Sequence, residues 1–440
     1  MSQGTSNCDG QSQQASALGA QRLLGVYPQR QDGLFMQRIK IFGGRITWLQ
    51  WRRIAQLASV YSPDSPLHIT TRQDIELHYI RPENIAAIQH GLVQVGLTTL
   101  GAGGDSVRNI TICAGCGLCR DGFDLLPPAQ LVCRYLDSQA AILNLPRKFK
   151  ISFSGCQHAC AKPWLNDLGF VAQPDGLFTV IGAGSLGPKP APGIQLYNNF
   201  PAKDILPLCI AAIAFFEQCG DRENRHRARF RHIREKLGDE VFKTELDSRF
   251  SRQKIQQSWP GVQIAAGNRK IKLIQRLQLP NGNISPKQAV ELADAAEQKN
   301  AELRINLEHA LELYGTEPIE LPEDLAAMSS NPIIIACPGS TSCPRGLVNC
   351  WTTGDIIRQN LAGQKHAAMR INISGCPNNC AQSATSDIGM VGMLRKQNGI
   401  TNQCYRLYTG GGNGKNDRLA TQGEIVSAMD IAGVVDRLLK

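Results

Sequence analysis

A cysteine spacing that occurs twice limits the fold of this chain more sharply than any other feature. Five residues separate Cys113 from Cys119, and three separate Cys156 from Cys160. Cys337 and Cys343, then Cys376 and Cys380, repeat both spacings in the same order. Their surroundings repeat too: RNITICAGCGLC matches PIIIACPGSTSC, and KFKISFSGCQHACAKPWLNDLG matches MRINISGCPNNCAQSATSDIG. In each copy a strand-like run, 108–112 or 332–336, leads to the first cysteine, and the next strand ends in Ser-Gly-Cys. Glycine turns at 182–187 and 409–414 also correspond.

A second pair of segments repeats upstream. FMQRIKIFGGRITWLQWRRIAQLASVYSPDSPLHITTRQDIELHYI begins at Phe35, and LIQRLQLPNGNISPKQAVELADAAEQKNAELRINLEHALELYG begins at Leu273. Each reads as an alternating strand with Gln-Arg, a Gly-containing turn, a helix, and a strand around His68 or Arg304. That order describes a ferredoxin-like unit, which cannot cover both of its faces alone and is expected to pair with its copy.

The fold class is therefore α+β, a duplicated architecture of two ferredoxin-like half-domains and two α/β domains that carry the cysteines. The expected boundaries are a disordered N-terminus over 1–20, a first half-domain over 21–100 and a first α/β domain over 101–250. A second half-domain over 251–325 and a second α/β domain over 326–440 complete the chain. A length of 440 residues with 42% hydrophobic content suits this plan. The N-terminus lacks the basic start and apolar core of a secretory signal. The longest apolar stretch, 205–216, is short and contains Pro207, so no membrane span is expected. Cysteines in short metal-type spacings point to a reducing, cytoplasmic compartment.

Four thiolates can hold a cubane [4Fe–4S] cluster, one at each corner iron. Cys337, Cys343, Cys376 and Cys380 are assigned to that role, with tetrahedral zinc or buried free thiols as alternatives. Gly115, Gly155, Gly339 and Gly375 let backbone N–H groups approach sulfur. The final cysteines are expected at helix starts, where the positive end favours thiolate. Cys113, Cys119, Cys156 and Cys160 hold a second cluster or are a vestigial set. Cys116 leaves their ligand choice open. Cys8, Cys133, Cys209, Cys219, Cys350 and Cys404 read as ordinary thiols, Cys133 and Cys350 packing in each core.

Positive charge is uneven. The formal net charge is +10, and Arg222, Arg225, Arg227, Arg229, Arg231 and Arg234 supply much of it. Without interleaved aromatics this run argues against nucleic acid. It reads first as a solvated helix face, and second as a dock for an acidic electron carrier or for cofactor carboxylates. Arg38, Arg72, Arg108, Lys148 and Lys150 lie at repeat landmarks of the first half. Their counterparts are Arg276, Glu308, a position near Pro332, Ala368 and Arg370. Only the first half can grip a small anion together with a carboxylate-rich cofactor. Lys148 and Lys150 alternate onto one face of a strand. Such a site acts by orienting an oxyanion and supplying protons.

GVYPQRQDGLFMQRIKIFGG, LHITTRQDIELHYI, GLTTLGAGGDSVRNIT, LPRKFKISFSG and SGCPNNCAQSATSDIG, taken in order, resemble the siroheme-dependent nitrite/sulfite reductase family over roughly 25–435. The resemblance implies a [4Fe–4S] cluster in the second half and a cysteine, Cys380 by position, that also bridges to the siroheme iron. It assigns anion binding and catalysis to Arg38, Arg108, Lys148 and Lys150, and siroheme carboxylates to Arg72. It implies six-electron reduction of sulfite to sulfide or nitrite to ammonium. The chain has no ferredoxin insert and no flavin or nicotinamide domain, so electrons come from an external donor such as ferredoxin or a flavoprotein. The first-half cysteines depart from the family pattern. A precorrin-3B synthase-like enzyme, a diverged iron–sulfur enzyme on another small molecule and a non-catalytic electron-transfer subunit are the alternatives.

Overall fold

A computed structural model describes residues 19–119, 122–267, 270–362, 369–397 and 399–439. Most of the 1–20 segment, Cys8 and Ala368 lie outside the described residues.

The two ferredoxin-like units share one core, and each completes the other's sheet. Val26–Pro28, Phe35–Ile39, Ile75–Ile80 and Leu67–Ile69 form the first sheet, and Asn283–Ile284 from the second copy joins its edge. Lys272–Gln278, Ala310–Gly315 and Glu302–Ile305 form the second sheet, closed by Arg45–Ile46 from the first copy. The registers set Asn283 opposite His68 and Leu303 opposite Ile46. Both exchanges begin at the predicted turn, where Gly43 and Gly44 in one copy and Asn281 and Gly282 in the other adopt positive φ. A helix follows each exchanged strand. Trp48–Tyr61 starts from a Thr47 capping box and Pro286–Gln298 from a Ser285 capping box. The helices pack together, with Trp51 fully buried and its indole N–H donating to Ala289 O at 2.9 Å. The apolar faces thus bury each other, as the pairing argument requires.

The two α/β units have the same five-stranded topology. In the first, Thr111–Ile112, Ile151–Ser154 and Leu168–Ala172 run parallel, followed by antiparallel Phe178–Gly182 and Ile194–Phe200. In the second, Ile333–Ala336, Arg370–Ser374 and Ile388–Gln397 run parallel, followed by antiparallel Ile400–Thr409 and Thr421–Ser427. Each has its own core.

The first α/β unit is larger because Ile205–Cys219, Phe230–Leu237 and Asp239–Gln256 pack beside its sheet. Asp239–Gln256 runs through residue 250, where a boundary was expected. Pro207 does not interrupt the apolar stretch. It sits in the first turn of Ile205–Cys219, where its missing N–H costs no helical bond. Among the described residues no helix is long and apolar enough to cross a membrane.

Candidate functional site

The strand that ends in Ser-Gly-Cys delivers each cysteine loop to the seam between the halves. In the second half, Gly375 N–H donates to Cys337 Sγ at 3.2 Å. Cys343 and Cys376 both lie within electrostatic reach of Cys337, and Cys380 within reach of all three. In the first half, Gly155 N–H donates to Cys113 Sγ at 3.3 Å. Cys119 Sγ donates to Gly115 O at 3.3 Å, and Cys156 raises its pKa most, with smaller contributions from Cys113 and Cys160. Within each set the thiols therefore lie near enough to influence one another's charge. Among the described residues no three His, Cys, Asp or Glu side chains gather closely enough to hold one metal ion. A cubane makes a different demand, since its thiolates stand apart, one to each iron.

The expected helix starts are absent. Cys160 and Cys380 lead into short 3-10 turns, Pro163–Leu165 and Ser383–Thr385, through Lys162 and Gln382 in left-handed conformation. Positive potential comes instead from side chains of the opposite half. Cys380 belongs to the second half, yet Thr71 Oγ1 from the first donates to its carbonyl at 3.1 Å. Cys380 keeps accessible surface, while surrounding protein pushes its thiol up to about 12, aided by Cys337 and opposed by Lys148. An accessible group that is nevertheless desolvated lines a concavity.

The basic residues of the first half gather on this side. Glu76 grips Arg38 at 2.9 Å (Nε) and 2.7 Å (Nη2), and Arg38 Nη1 donates to Ala102 O at 3.2 Å. Arg108 Nη2 donates to the same carbonyl at 2.6 Å. Arg72 donates to Asn166 Oδ1 at 2.9 Å and to Ile151 O at 3.0 Å. Among the described residues, the buried Nε atoms of Arg72, Arg108 and Arg229 have no hydrogen-bond partner. Lys148 and Lys150 are half-buried, and neither ammonium makes a hydrogen bond among the described residues. Burial pushes Lys148 down to about 7, and Arg229 and Arg108 add to the push. Burial, then Arg72 and Lys148, drive Lys150 well below its ordinary value. Burial likewise lowers Arg72 to about 9. Such depression marks positive charges held out of water and, secondarily, close to one another.

Arg229 is the member that sequence reasoning placed elsewhere. Arg222, Arg225 and Arg227 are exposed, but they lie in the loop before Phe230–Leu237 rather than on a helix face, while Arg231 is buried and Arg229 turns inward. Arg229 Nη2 pairs with the fully buried Asp167 at 2.8 Å, and Asp167 also accepts the Lys150 backbone N–H at 2.8 Å. The alternation of buried Ala228 and Phe230 around Arg229 was the available signal.

At the equivalent place in the second half, Glu308 stands where the first half has Arg72. It pairs with Arg276 at 3.0 Å and with Arg370. Burial works against its ionisation, but Lys162, Arg370 and Arg276 hold it down to about 2. Cys350 is fully buried, whereas Cys133 is only half-buried and donates to Asp137 at 3.3 Å, so the two do not occupy similar places.

Comparison with known proteins agrees with the geometry. The family described as Nitrite and sulphite reductase 4Fe-4S domain matches residues 103–254 and 328–439. The nitrite/sulfite reductase ferredoxin-like half domain matches 27–95. The chain is 27% identical to the chloroplastic ferredoxin–nitrite reductase of Zea mays, over 94% of this chain and 80% of that protein. It is 28% identical to the ferredoxin–nitrite reductase of Leptolyngbya laminosa, over 91% and 85%. The assimilatory ferredoxin-dependent nitrite reductase of Haloferax mediterranei is also 28% identical, over 89% and 76%. The fold matches the solved structure of the Mycobacterium tuberculosis NirA protein with a TM-score of 0.80 and 21% identity, covering 94% of this chain and 85% of that one. With both cysteine-bearing units and the first half-domain matched, the chain belongs to the nitrite and sulphite reductase family.

Proposed function

We propose that the chain is a siroheme-dependent reductase that takes nitrite to ammonium, or sulfite to sulfide, using a [4Fe–4S] cluster on Cys337, Cys343, Cys376 and Cys380. One observation carries this reading: incompletely paired, desolvated basic groups from one half face an accessible cysteine from the other. A carboxylate-rich macrocycle suits that arrangement, because it brings the negative charge that the buried Arg72, Arg108 and Arg229 Nε atoms lack. When bound, the coupled siroheme and cluster would supply single electrons and an iron for the anion.

The chain's own residues divide the remaining work. Arg72, oriented by Asn166 and the Ile151 carbonyl, holds a macrocycle carboxylate. Cys380, accessible and within reach of Lys148, would help to hold the cluster and the siroheme. Arg38 and Arg108, fixed through Glu76 and the Ala102 carbonyl, orient the oxyanion without releasing a proton. Lys148, brought to about 7, holds a proton that it can give up near neutral pH as oxygen leaves the substrate. Lys150 adds charge beside it, and Arg229 keeps Asp167 occupied so that the carboxylate does not neutralise the pair. The electron donor is an acidic one-electron protein of the ferredoxin type, as the relatives' names support. Nitrite is the first substrate to test for the same reason.

The test is a visible and EPR spectrum of the anaerobically purified full chain, with siroheme, iron and acid-labile sulfide quantified. High-spin siroheme that shifts on adding nitrite or sulfite is expected. Protein without extractable siroheme, or a spectrum that both anions leave unchanged, overturns the reading.

A further inference from the structure

The first-half cysteines retain more of the cluster environment than their spacing. The five-stranded topology and the Gly amide to the first sulfur are repeated, at 3.3 Å for Cys113 and 3.2 Å for Cys337. The positive-φ residues of the final loop are repeated as well, Ala159 with Asn379 and Lys162 with Gln382. Left-handed backbone is costly for an L-residue, and Ala159 has no polar side chain to offset it. The first half keeps this loop shape even where its sequence makes it costly.

An extra buried thiol also flanks the first cysteine in both copies, from different sequence positions. Cys350 Sγ lies 4.0 Å from Cys337 Sγ, and a Cβ added to Gly375 would come within 3.2 Å of Cys350 Sγ. Cys116 lies beside Cys113 and raises its thiol pKa, and a Cβ added to Gly155 would come within 2.9 Å of Cys116 Sγ. By repeat position Cys116 corresponds to Ser340, not to Cys350. The same surroundings have been reached with a different residue, which a decaying set of ligands does not require. Cys116 is therefore the flanking thiol, its Sγ engaged by Phe123 O at 3.2 Å and Leu125 N–H at 3.3 Å.

The two cysteine loops touch. Lys162, two residues after Cys160, donates its buried ammonium to Gln382 Oε1, two residues after Cys380, at 2.6 Å. One hydrogen bond thus completes a path from Cys160 to Cys380. Where the first half has Arg72, the second has Glu308, paired with Arg276 and Arg370 and held by Lys162, so this position offers no spare cation to an anion. Cys160 retains accessible surface, a point of entry for electrons.

We propose that Cys113, Cys119, Cys156 and Cys160 hold a second cubane iron–sulfur cluster, which relays single electrons to the cluster of the second half. A one-electron protein donor is oxidised as the first cluster is reduced, and that cluster is reoxidised as the second is reduced. No bond forms or breaks and no proton moves. The relay rests on the second-half cluster proposed above, whereas the presence of the first cluster does not.

The experiment compares anaerobically purified full-length protein with a Cys119→Ser/Cys160→Ser double variant. Roughly eight acid-labile sulfides per chain are expected in the parent and roughly four in the variant, one cubane having been lost. After reduction, mutual broadening of two EPR signals is expected in the parent and a sharp single signal in the variant. Equal sulfide content in the two proteins, or zinc in place of iron, overturns the cluster; two sharp, independent signals overturn the relay. If the variant fails to fold, alkylation of the native parent decides. Protection of all four cysteines until the clusters are oxidised away supports the proposal, and free reaction of Cys119 and Cys160 in native protein overturns it. Siroheme is quantified separately, so failure of the siroheme reading leaves a distinct result.

Discussion

Cys380 and Cys160 end equivalent loops on equivalent sheets, yet they face opposite electrostatic conditions. Around Cys380, Arg72, Arg108, Lys148 and Lys150 press on one another and leave donor atoms unused. Near Cys160, Glu308 takes the place of Arg72 and satisfies itself with two arginines of its own half. The difference teaches that the duplicated scaffold does not itself define a reactive centre. On the proposed reading that centre is defined by charge left incompletely paired, because such charge has free energy to gain from an anionic guest.

The sharpest way to break this comparison is to write the second copy's residue into the first. Arg72→Glu should cut siroheme content by roughly tenfold or more, since it places a carboxylate where a carboxylate must bind. Pigment extraction with parallel iron analysis checks it, and retention of normal siroheme would undo the proposed contrast. Next in size, Lys148→Ala should lower turnover by roughly 10²–10⁴-fold while siroheme stays bound, the range typical of a lost acid catalyst. Lys148 is depressed to about 7, so its proton is present below that value and lost above it. Parent turnover should therefore decline as pH rises through the neutral range. Bound anions move that limb upward, and Lys148→Arg flattens it by keeping the charge. Rates measured across pH in a single buffer series test the sign. The smallest effect concerns what the copies share. Thr47→Ala and Ser285→Ala should each cost about 1 kcal/mol in urea unfolding, because both remove the same helix cap. Clearly unequal losses would show that the halves differ in scaffold as well as in charge.

Much of this contrast was written in the chain. The matched cysteine spacings gave both sets, and alignment of the repeats put Glu308 opposite Arg72 before any coordinates. The exchanged strands were not legible, because Arg45–Ile46 and Asn283–Ile284 are two residues long and carry no period. The helix expected after Cys380 failed for a local reason: Gln382 turns left-handed and its neighbours form a single tight turn. Arg229 was hidden among arginines that do face water. Only the Asp167 carboxylate, 62 residues away in sequence, draws it inward.

Because each ferredoxin-like unit lends a strand to the other, the halves are interlocked, and a hinge motion between them would have to break both strand pairings. Access to the seam must then be governed by side chains and loops. Lys148 lies just before the strand Ile151–Ser154 rather than within it, and Cys380 lies in the loop that follows Arg370–Ser374, so the two groups hang from loops anchored on separate sheets.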